Sequence, residues 1–528
     1  MKQYKKIEDG KGSFIDRLIH TEDFKPFYHY VLNESGFKER NEVARNGLES
    51  QLGDVIQSYI GDDISDAQQN NIEALKSGHQ VVVGGQQAGL FVSPLYTIHK
   101  IISIIVMAKE QSIKLNKLVI PVFWIAGEDH DFDEVNHANV YDENSIIHRV
   151  KYYSKQEVTD SVSNVQIDRD AYMTALNKMF TLLGETEHTK VIYQKLRDIP
   201  GYWTEHFKSI LQTLFKSHGV LFIDSQYKPL RALERHILKW QFEHHEAIDA
   251  AFRNGQNAFE QLTSERQIIT DTNVHLFLQY DGMRQLLKFD GNEYILPKSG
   301  VALSKEEVLA IIKHEPERIS NNVVTRPLMQ ESVFNTLAFI GGPSEIKYWG
   351  ELTQVFEYAQ IKMPLVVPRM RITYMTQELE KIITRYDISL EGLFANGIDE
   401  YVDTFLKTKE NYMVEQEIRA IETQLEASYE SLIQSGDSAL AHIAKSNVAH
   451  HKVQFDYMLE AYRKEIKRKY TTELKHFTKI KNELNPDGLQ ERVMHPVQIM
   501  NRYGIHIFDD VLNAFDQYQY EHIILLSN

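Results

Sequence analysis

Residues 81 to 137 constrain the fold more than any other stretch. They read VVVGGQQAGLFVSPLYTIHKIISIIVMAKE, a short basic spacer, then LVIPVFWIAGEDHDFDEVNH. The order is strand, glycine loop, helix, strand, acidic loop. Val81-Val82-Val83 is an apolar run that ends in Gly84-Gly85-Gln86-Gln87-Ala88-Gly89. Pro94 stands where a first helical turn tolerates proline, and the helix after it is mostly apolar from Leu95 to Met107. A second apolar run, Leu118 to Ala126, ends in Gly127-Glu128-Asp129-His130-Asp131. Open α/β sheets bind ligands at the carboxyl ends of their strands. Two neighbouring strand ends carrying a glycine turn and a dense polar cluster therefore predict a small-molecule or nucleotide site.

At 528 residues the chain is long enough for roughly two to four domains of about 150 residues. Its net charge of -16 argues against a nonspecific nucleic-acid binder, which is more often basic. No apolar run reaches the ~18 residues of a membrane span. The opening MKQYKKIEDGKGSF has basic residues with no apolar stretch behind them, unlike a secretory signal, so a cytoplasmic protein is expected. The absence of cysteine excludes disulfides, thiolate metal sites and a cysteine nucleophile.

The chain is expected to divide into a Rossmann-like α/β core over 1–375, a helical coiled-coil domain over 376–485, and a tail over 486–528 that returns to the core. Insertions are expected near 141–218 and 260–300. Gly219 to Asp224 reads as a short buried strand, followed by one helical stretch from Leu230 through Phe252. Residues 274 to 297 alternate apolar and polar, with Asp281-Gly282 and Asp290-Gly291 as hairpin turn signals, and predict an antiparallel meander. Asn322 to Pro327 and Gly341 to Glu345 read as punctuation before two further helices, and Leu365 to Pro368 as the last strand. Beyond about residue 375, Val414, Ile418, Ile421, Leu425, Ser428 and Leu432 repeat at coiled-coil spacing. After a break at Gln434 to Ser438, Ala444, Val448, His451, Phe455, Met458 and Tyr462 continue the pattern. The second helix is expected to run to about Leu484, on the order of 65 Å, until Pro486-Asp487-Gly488 ends it. These features predict a long antiparallel α-helical arm that dimerises.

Several groups carry candidate chemistry. The glycine loop at Gly85 can bring backbone amides to an anion, although it matches neither the Walker A nor the GxGxxG pattern. Gln86 and Gln87 can donate to and accept from a polar ligand, and Ser93, Tyr96 and Thr97 cluster at the start of the next helix. Glu128, Asp129, His130, Asp131, Asp133, Glu134 and His137 form the densest titratable cluster, suited to acid–base work, with Asp129, His130 and Asp131 as the catalytic candidates. Its spacing matches no standard zinc signature. Arg326 can clamp a carboxylate or phosphate. Ser344 and Glu345 open a helix after Gly341-Gly342-Pro343, with Tyr348 and Trp349 one turn on, placed to stack on a ring or fill the core.

GGQQAGLFVSPLYTIHK, PVFWIAGEDHDFDEVNH, NVVTRPLMQE and GGPSEIKYW, in this order, resemble the signature blocks of the BshC cysteine ligases of bacillithiol synthesis. The resemblance spans essentially the whole chain. It implies a Rossmann-type core with inserted connecting segments, a coiled-coil arm used for dimerisation, and amide-bond formation between cysteine and glucosaminyl-malate as the last step of bacillithiol synthesis. More distantly, the core resembles class I aminoacyl-tRNA synthetases. There is no HIGH motif, Ser93-Pro94-Leu95-Tyr96 standing roughly in its place, and no KMSKS loop.

The leading expectation is an ATP-linked ligase. In it Asp129 or His130 takes the amine proton, Gln86, Gln87 and the glycine loop hold the sugar–malate or activating phosphate, and Arg326 pairs with a carboxylate or phosphate. ATP or ADP and a divalent cation are the candidate cofactors. Two competing readings are a partner-binding scaffold with a degenerate pocket and a metal-dependent hydrolase built on His130 and Asp131.

Overall fold

The computed structural model describes residues 1–528 except Asp9, Lys11, Ala44, Arg45, Gln156, Ile199, Pro200, Asn411, Ser435, Asp487, Gly488 and Asn528. Ser435, in the expected helix break, and Asp487-Gly488, at the expected helix end, thus lie outside the described residues. The chain forms two compact units, residues 1–375 with 489–528, and residues 376–488.

Five parallel strands build the first unit: β1 (Val81–Gln86), β2 (Ile120–Ile125), β3 (Leu221–Asp224), β4 (Thr336–Gly341) and β5 (Leu365–Pro368). Their spatial order is β5-β4-β1-β2-β3. Read from the other edge this is the doubly wound order 3-2-1-4-5, which turns between β1 and β4 and opens a crevice at their carboxyl ends. All six residues of β2 and of β4 are buried. Strands covered on both faces read as unbroken apolar runs, so β1 and β2 are visible in sequence. The central strand β4 went unrecognised because TLAFIG lies between two helix-like segments and shows no alternation.

Helix α1 (Leu95–Lys114) joins β1 to β2, with Ile98, Ile101, Ile102 and Ile104 fully buried. Pro94 is the residue before it rather than its first turn. Between β2 and β3 the chain inserts the hairpin of His137–Tyr141 and Ile147–Lys151 and three helices of seven residues or more. After β3 the expected single helix is two, α2 (Lys228–Glu243) and His245–Thr263, parted at His244, whose amide donates back to the Trp240 carbonyl. The expected meander divides between two three-stranded sheets. Asp281 and Gly282 both take positive φ, as a tight hairpin turn demands. Helix α3 (Arg326–Val333) leads into β4, and α4 (Pro343–Glu351) leaves it. A further sheet pairs Lys2–Ile7 antiparallel with His522–Leu526, which runs parallel to Arg371–Met375. Leu365–Pro368 is therefore not the last strand.

In the second unit, α5 (Tyr412–Ile433) and α6 (Ser438–Lys469) form an antiparallel pair. Glu415 pairs with Arg463, Arg419 with Asp456 and Glu426 with Lys452, so one number falls as the other rises. Asp437 caps α6 by accepting from the Ala439 and Leu440 amides. Such exposed ion pairs contribute ~0–1 kcal/mol each. Burial does more, and it keeps a three–four spacing, with Ala444, Val448, His451 and Phe455 on the inner face as expected. Ile418, Ala444, Leu459 and Ile466 are buried, whereas the expected seam residues Ile421 and Leu432 are 54% and 41% exposed. The helix also stops at Lys469 and resumes at Thr471, short of the single rod expected to Leu484. No helix among the described residues is long and apolar enough to cross a membrane.

Leu459→Ala is expected to destabilise the helical unit by about 2–4 kcal/mol, and Ile421→Ala by under ~0.5 kcal/mol. Urea unfolding followed by circular dichroism measures both, and equal losses would place Ile421 in the buried seam.

Candidate active site

Gln87 joins the two loops that leave β1 and β2. Its side-chain amide donates to Asp129 Oδ2 at 2.7 Å and to Glu134 Oε2 at 3.0 Å. The glycine bend and the acidic loop therefore share one cleft. Both loops need glycine for close approach. A Cβ at Gly85 would lie 2.7 Å from the Trp124 carbonyl oxygen, and one at Gly127 would collide with Ser163 Oγ and the Asp224 carboxylate.

The loop into α1 stores backbone strain. Phe91, Val92 and Ser93 take φ of 52°, 99° and 73° in succession. Each such residue costs of order 1–3 kcal/mol, and β-branched Val92 is the least tolerant. Neighbours hold the loop in place. Trp203 Nε1 donates to the Ala88 carbonyl at 2.7 Å, His495 Nε2 to the Leu90 carbonyl at 3.0 Å, and Ser93 Oγ to the Gln87 carbonyl at 3.2 Å.

The acidic loop divides by partner. Glu128 is buried, with one oxygen on Arg231 and the other accepting from Arg326 Nε at 2.6 Å. Burial pushes its carboxyl up, but Arg231, Arg326 and Arg284 outweigh that and hold it below the usual range. Arg231 also donates to Glu234 at 2.7 Å, where burial wins and raises the carboxyl to about 7. Asp129 is similarly pushed up by burial and held below its ordinary value by Arg326, Arg284 and Gln87, so it is ionised at neutral pH. Burial and Arg284 depress His130, which is therefore a neutral imidazole. Arg284 donates to His130 Nδ1 at 3.1 Å, which assigns the ring proton to Nε2.

At the β1–β4 switch point, Lys100 is 1% exposed. Its ammonium donates to the Gly85 carbonyl at 2.5 Å, Gln86 Oε1 at 3.0 Å and Glu345 Oε2 at 2.7 Å. Burial depresses Lys100, and Glu345 opposes that. Arg369 lies beneath the Tyr96 ring at 5.7 Å and pairs with buried Glu491, which also accepts from His99.

Gln86, Gln87, Ser93 and Tyr96 line a pocket of about 230 Å³ together with His137 and Arg492. Arg326 lies near both Asp129 and half-buried Tyr348, and His130 follows Asp129. Other candidates are not brought in. Thr97 is fully buried in the apolar interior, and Trp349 is stacked between Phe339 and Phe356, so neither can touch substrate. Glu128 has both oxygens occupied by arginines and organises the cleft instead of binding in it. Ser344 is exposed and does not cap α4, because Gly342 holds that position and Glu345 closes it. Asp131 is exposed, and His130 faces Arg284. Among the described residues no three His, Asp or Glu side chains converge as a metal cage would, so the hydrolase reading has no geometry behind it. Arg231, Arg284, Lys100, Arg369 and Glu491 are the site residues that sequence reasoning missed.

Family comparison matches residues 3–370 to the model described as "Bacillithiol biosynthesis BshC, N-terminal Rossmann-like domain" and residues 372–527 to "Bacillithiol biosynthesis BshC, C-terminal coiled-coil domain". Among curated relatives, proteins of Staphylococcus saprophyticus and Staphylococcus carnosus are each 41% identical, over 98% and 97% of both chains respectively. One from Staphylococcus aureus is 41% identical over 94% of both chains. All three carry the name "Putative cysteine ligase BshC".

Arg231→Leu leaves buried Glu128 and Glu234 without their shared cation and is expected to cost about 3–5 kcal/mol in urea unfolding. Adding Glu234→Gln, which neutralises the acid paired with Arg231 alone, should return part of it. No recovery would place Arg231's contribution in packing rather than charge.

Proposed function

The chain belongs to the BshC family of bacillithiol biosynthesis, and from that premise we propose that it joins cysteine to glucosaminyl-malate through an amide bond, as the last step of that pathway in the cytoplasm. The observation that carries the reading is the Gln87–Asp129 hydrogen bond, which sets an ionised carboxylate beside a polar pocket in one cleft. The amine nitrogen of the sugar attacks the activated carbonyl carbon of cysteine. The carbon–nitrogen bond forms, the bond to the leaving group breaks, and the surplus proton passes to Asp129. A carboxylate held below its usual range takes a proton readily only from an acidic ammonium, which is what the addition intermediate presents. His130 keeps Nδ1 on Arg284 and offers Nε2–H to the carbonyl oxygen. Arg326 spends only Nε on Glu128, so its terminal nitrogens are left for a malate carboxylate.

ATP or ADP is proposed as the source of the activated carboxyl. Its phosphates do not fit the two helix N-termini of the crevice. The Leu95 amide donates to the Met494 carbonyl at 3.0 Å, and the Gly342 amide to Glu345 Oε2 at 2.6 Å, so both cradles are closed. Proton transfer at Asp129 requires only that cysteine arrive with its carboxyl activated.

The arm supports a homodimer. Ile443, Val453 and Tyr457 of α6 are 63%, 62% and 68% exposed, on the face turned away from α5. A second copy of the chain would cover this stripe.

Purified protein given cysteine, glucosaminyl-malate and ATP is expected to yield the amide, detected by mass spectrometry, and Asp129→Asn to slow turnover about 10²- to 10⁴-fold without unfolding. Absence of product from the wild type would refute direct catalysis. Light scattering should report a dimer that Ile443→Glu with Val453→Glu converts to a monomer, and a monomeric wild type would rule the interface out.

A further inference from the structure

A second cavity, of about 800 Å³, opens beside the amino-terminal end of β4, away from the cleft just described. Its walls are mostly apolar: Ile237 and Trp240 of α2, Leu328 of α3, then Phe334 and Ile361. Its floor is polar, made by Arg40, Glu331 and Asn335. Ligand sites are typically of this size and character, a greasy concavity with a few converging polar groups.

The floor is a built structure. Arg40 is 1% exposed and pairs with Glu331, while its Nε donates to the Thr336 carbonyl at 2.8 Å and another nitrogen to the Lys362 carbonyl at 2.9 Å. The Glu331 carboxylate is 7% exposed, and its second oxygen closes no hydrogen bond of ordinary geometry, with Thr336 beside it. Burial raises Glu331 to about 7 even against Arg40. At neutral pH the half-protonated acid offsets part of Arg40's charge, and Lys362 on the wall pairs with Glu39 at 3.4 Å, so the cavity offers an entering molecule little net charge to pair with.

Two helices connect this cavity to the catalytic cleft. On α3, Arg326 holds Glu128, and Glu331 lies five residues on, about 8 Å along the axis. On α2, Arg231 holds Glu128 from the other side, and Trp240 lies nine residues on, about 14 Å. Both guanidiniums that fix Glu128 are thus mounted on elements that wall the second cavity.

We propose that this cavity is a second ligand site for a neutral, drug-sized, planar molecule, and that its occupancy is transmitted along α2 and α3 to the Glu128 loop. The inference goes beyond the ligase reading and needs no turnover to test. Trp124, Trp203 and Trp349 are 1–3% exposed, so half-buried Trp240 is the tryptophan that an entering ligand can reach.

N-phenylnaphthylamine, neutral and fluorescent in apolar surroundings, is the probe. It should bind saturably at one site per chain, with energy transfer from tryptophan that Trp240→Phe reduces. Anilinonaphthalene sulfonate, the same ring system with a negative charge, should bind about tenfold more weakly. Ser332→Phe and Ala359→Leu, which fill the cavity from two different walls, should each weaken the neutral probe about tenfold or more. Equal affinity in both filled variants would overturn the site, and a stronger anionic probe would overturn its chemistry. Hydrogen exchange with bound probe should slow at residues 127–131 as well as on α2 and α3. Slowing confined to the cavity walls would overturn the transmission.

Discussion

Glu128 sits where the end of β2 meets α2 and α3, and its charge can be buried only because Arg231 and Arg326 both close on it. Isolated, such a charge in a protein interior would cost several kcal/mol or be neutralised by a proton. Here it works as a bracket. The residues it gathers come from three parts of the chain separated by about a hundred residues each. The strand end, two helices and the hairpin bearing Arg284 are registered against one another by charge as well as by packing. Asp129 and His130, the next residues along, inherit that fixed geometry.

Much of this was readable from sequence because buried parallel strands and dense polar loops leave local marks. Val81-Val82-Val83 and Val122-Phe123-Trp124-Ile125 are short, apolar and followed by polar bends, so the pair of strands and its loops could be recognised together. Thr336–Gly341 has the same burial but no distinguishing neighbour, and periodicity cannot separate a short buried strand from a helical segment. The break at His244 carries neither glycine nor proline. In the arm, the spacing located the inner face of the second helix, where Ala444, Val448, His451 and Phe455 are buried or half-buried, but it also placed Ile421 and Leu432 inward, where they are exposed.

Site residues divide along the same line. Gln87 and Asp129 stood out by local density. Arg231, Arg284 and Arg369 did not, because an arginine is marked as functional only by the distant acid it meets, and that meeting exists only in the fold. Lys100 did leave a signal. It lies with His99 inside the apolar stretch Ile98 to Val106, and lysine is almost never fully buried unless paired. Its partner Glu345 also accepts from the Gly342 amide at the start of α4, so one carboxylate ties Lys100 to a second element.

The strand Lys2–Ile7 pairs with His522–Leu526, and the latter with Arg371–Met375. During synthesis the first of these leaves the ribosome hundreds of residues ahead of its partner. That edge must stay open until its partner has been made, exposing an unpaired ribbon that invites wrong partners. Closure of this small sheet therefore comes late in folding. Quality control inside the cell would then meet a body whose core can already be packed but which still lacks its latch.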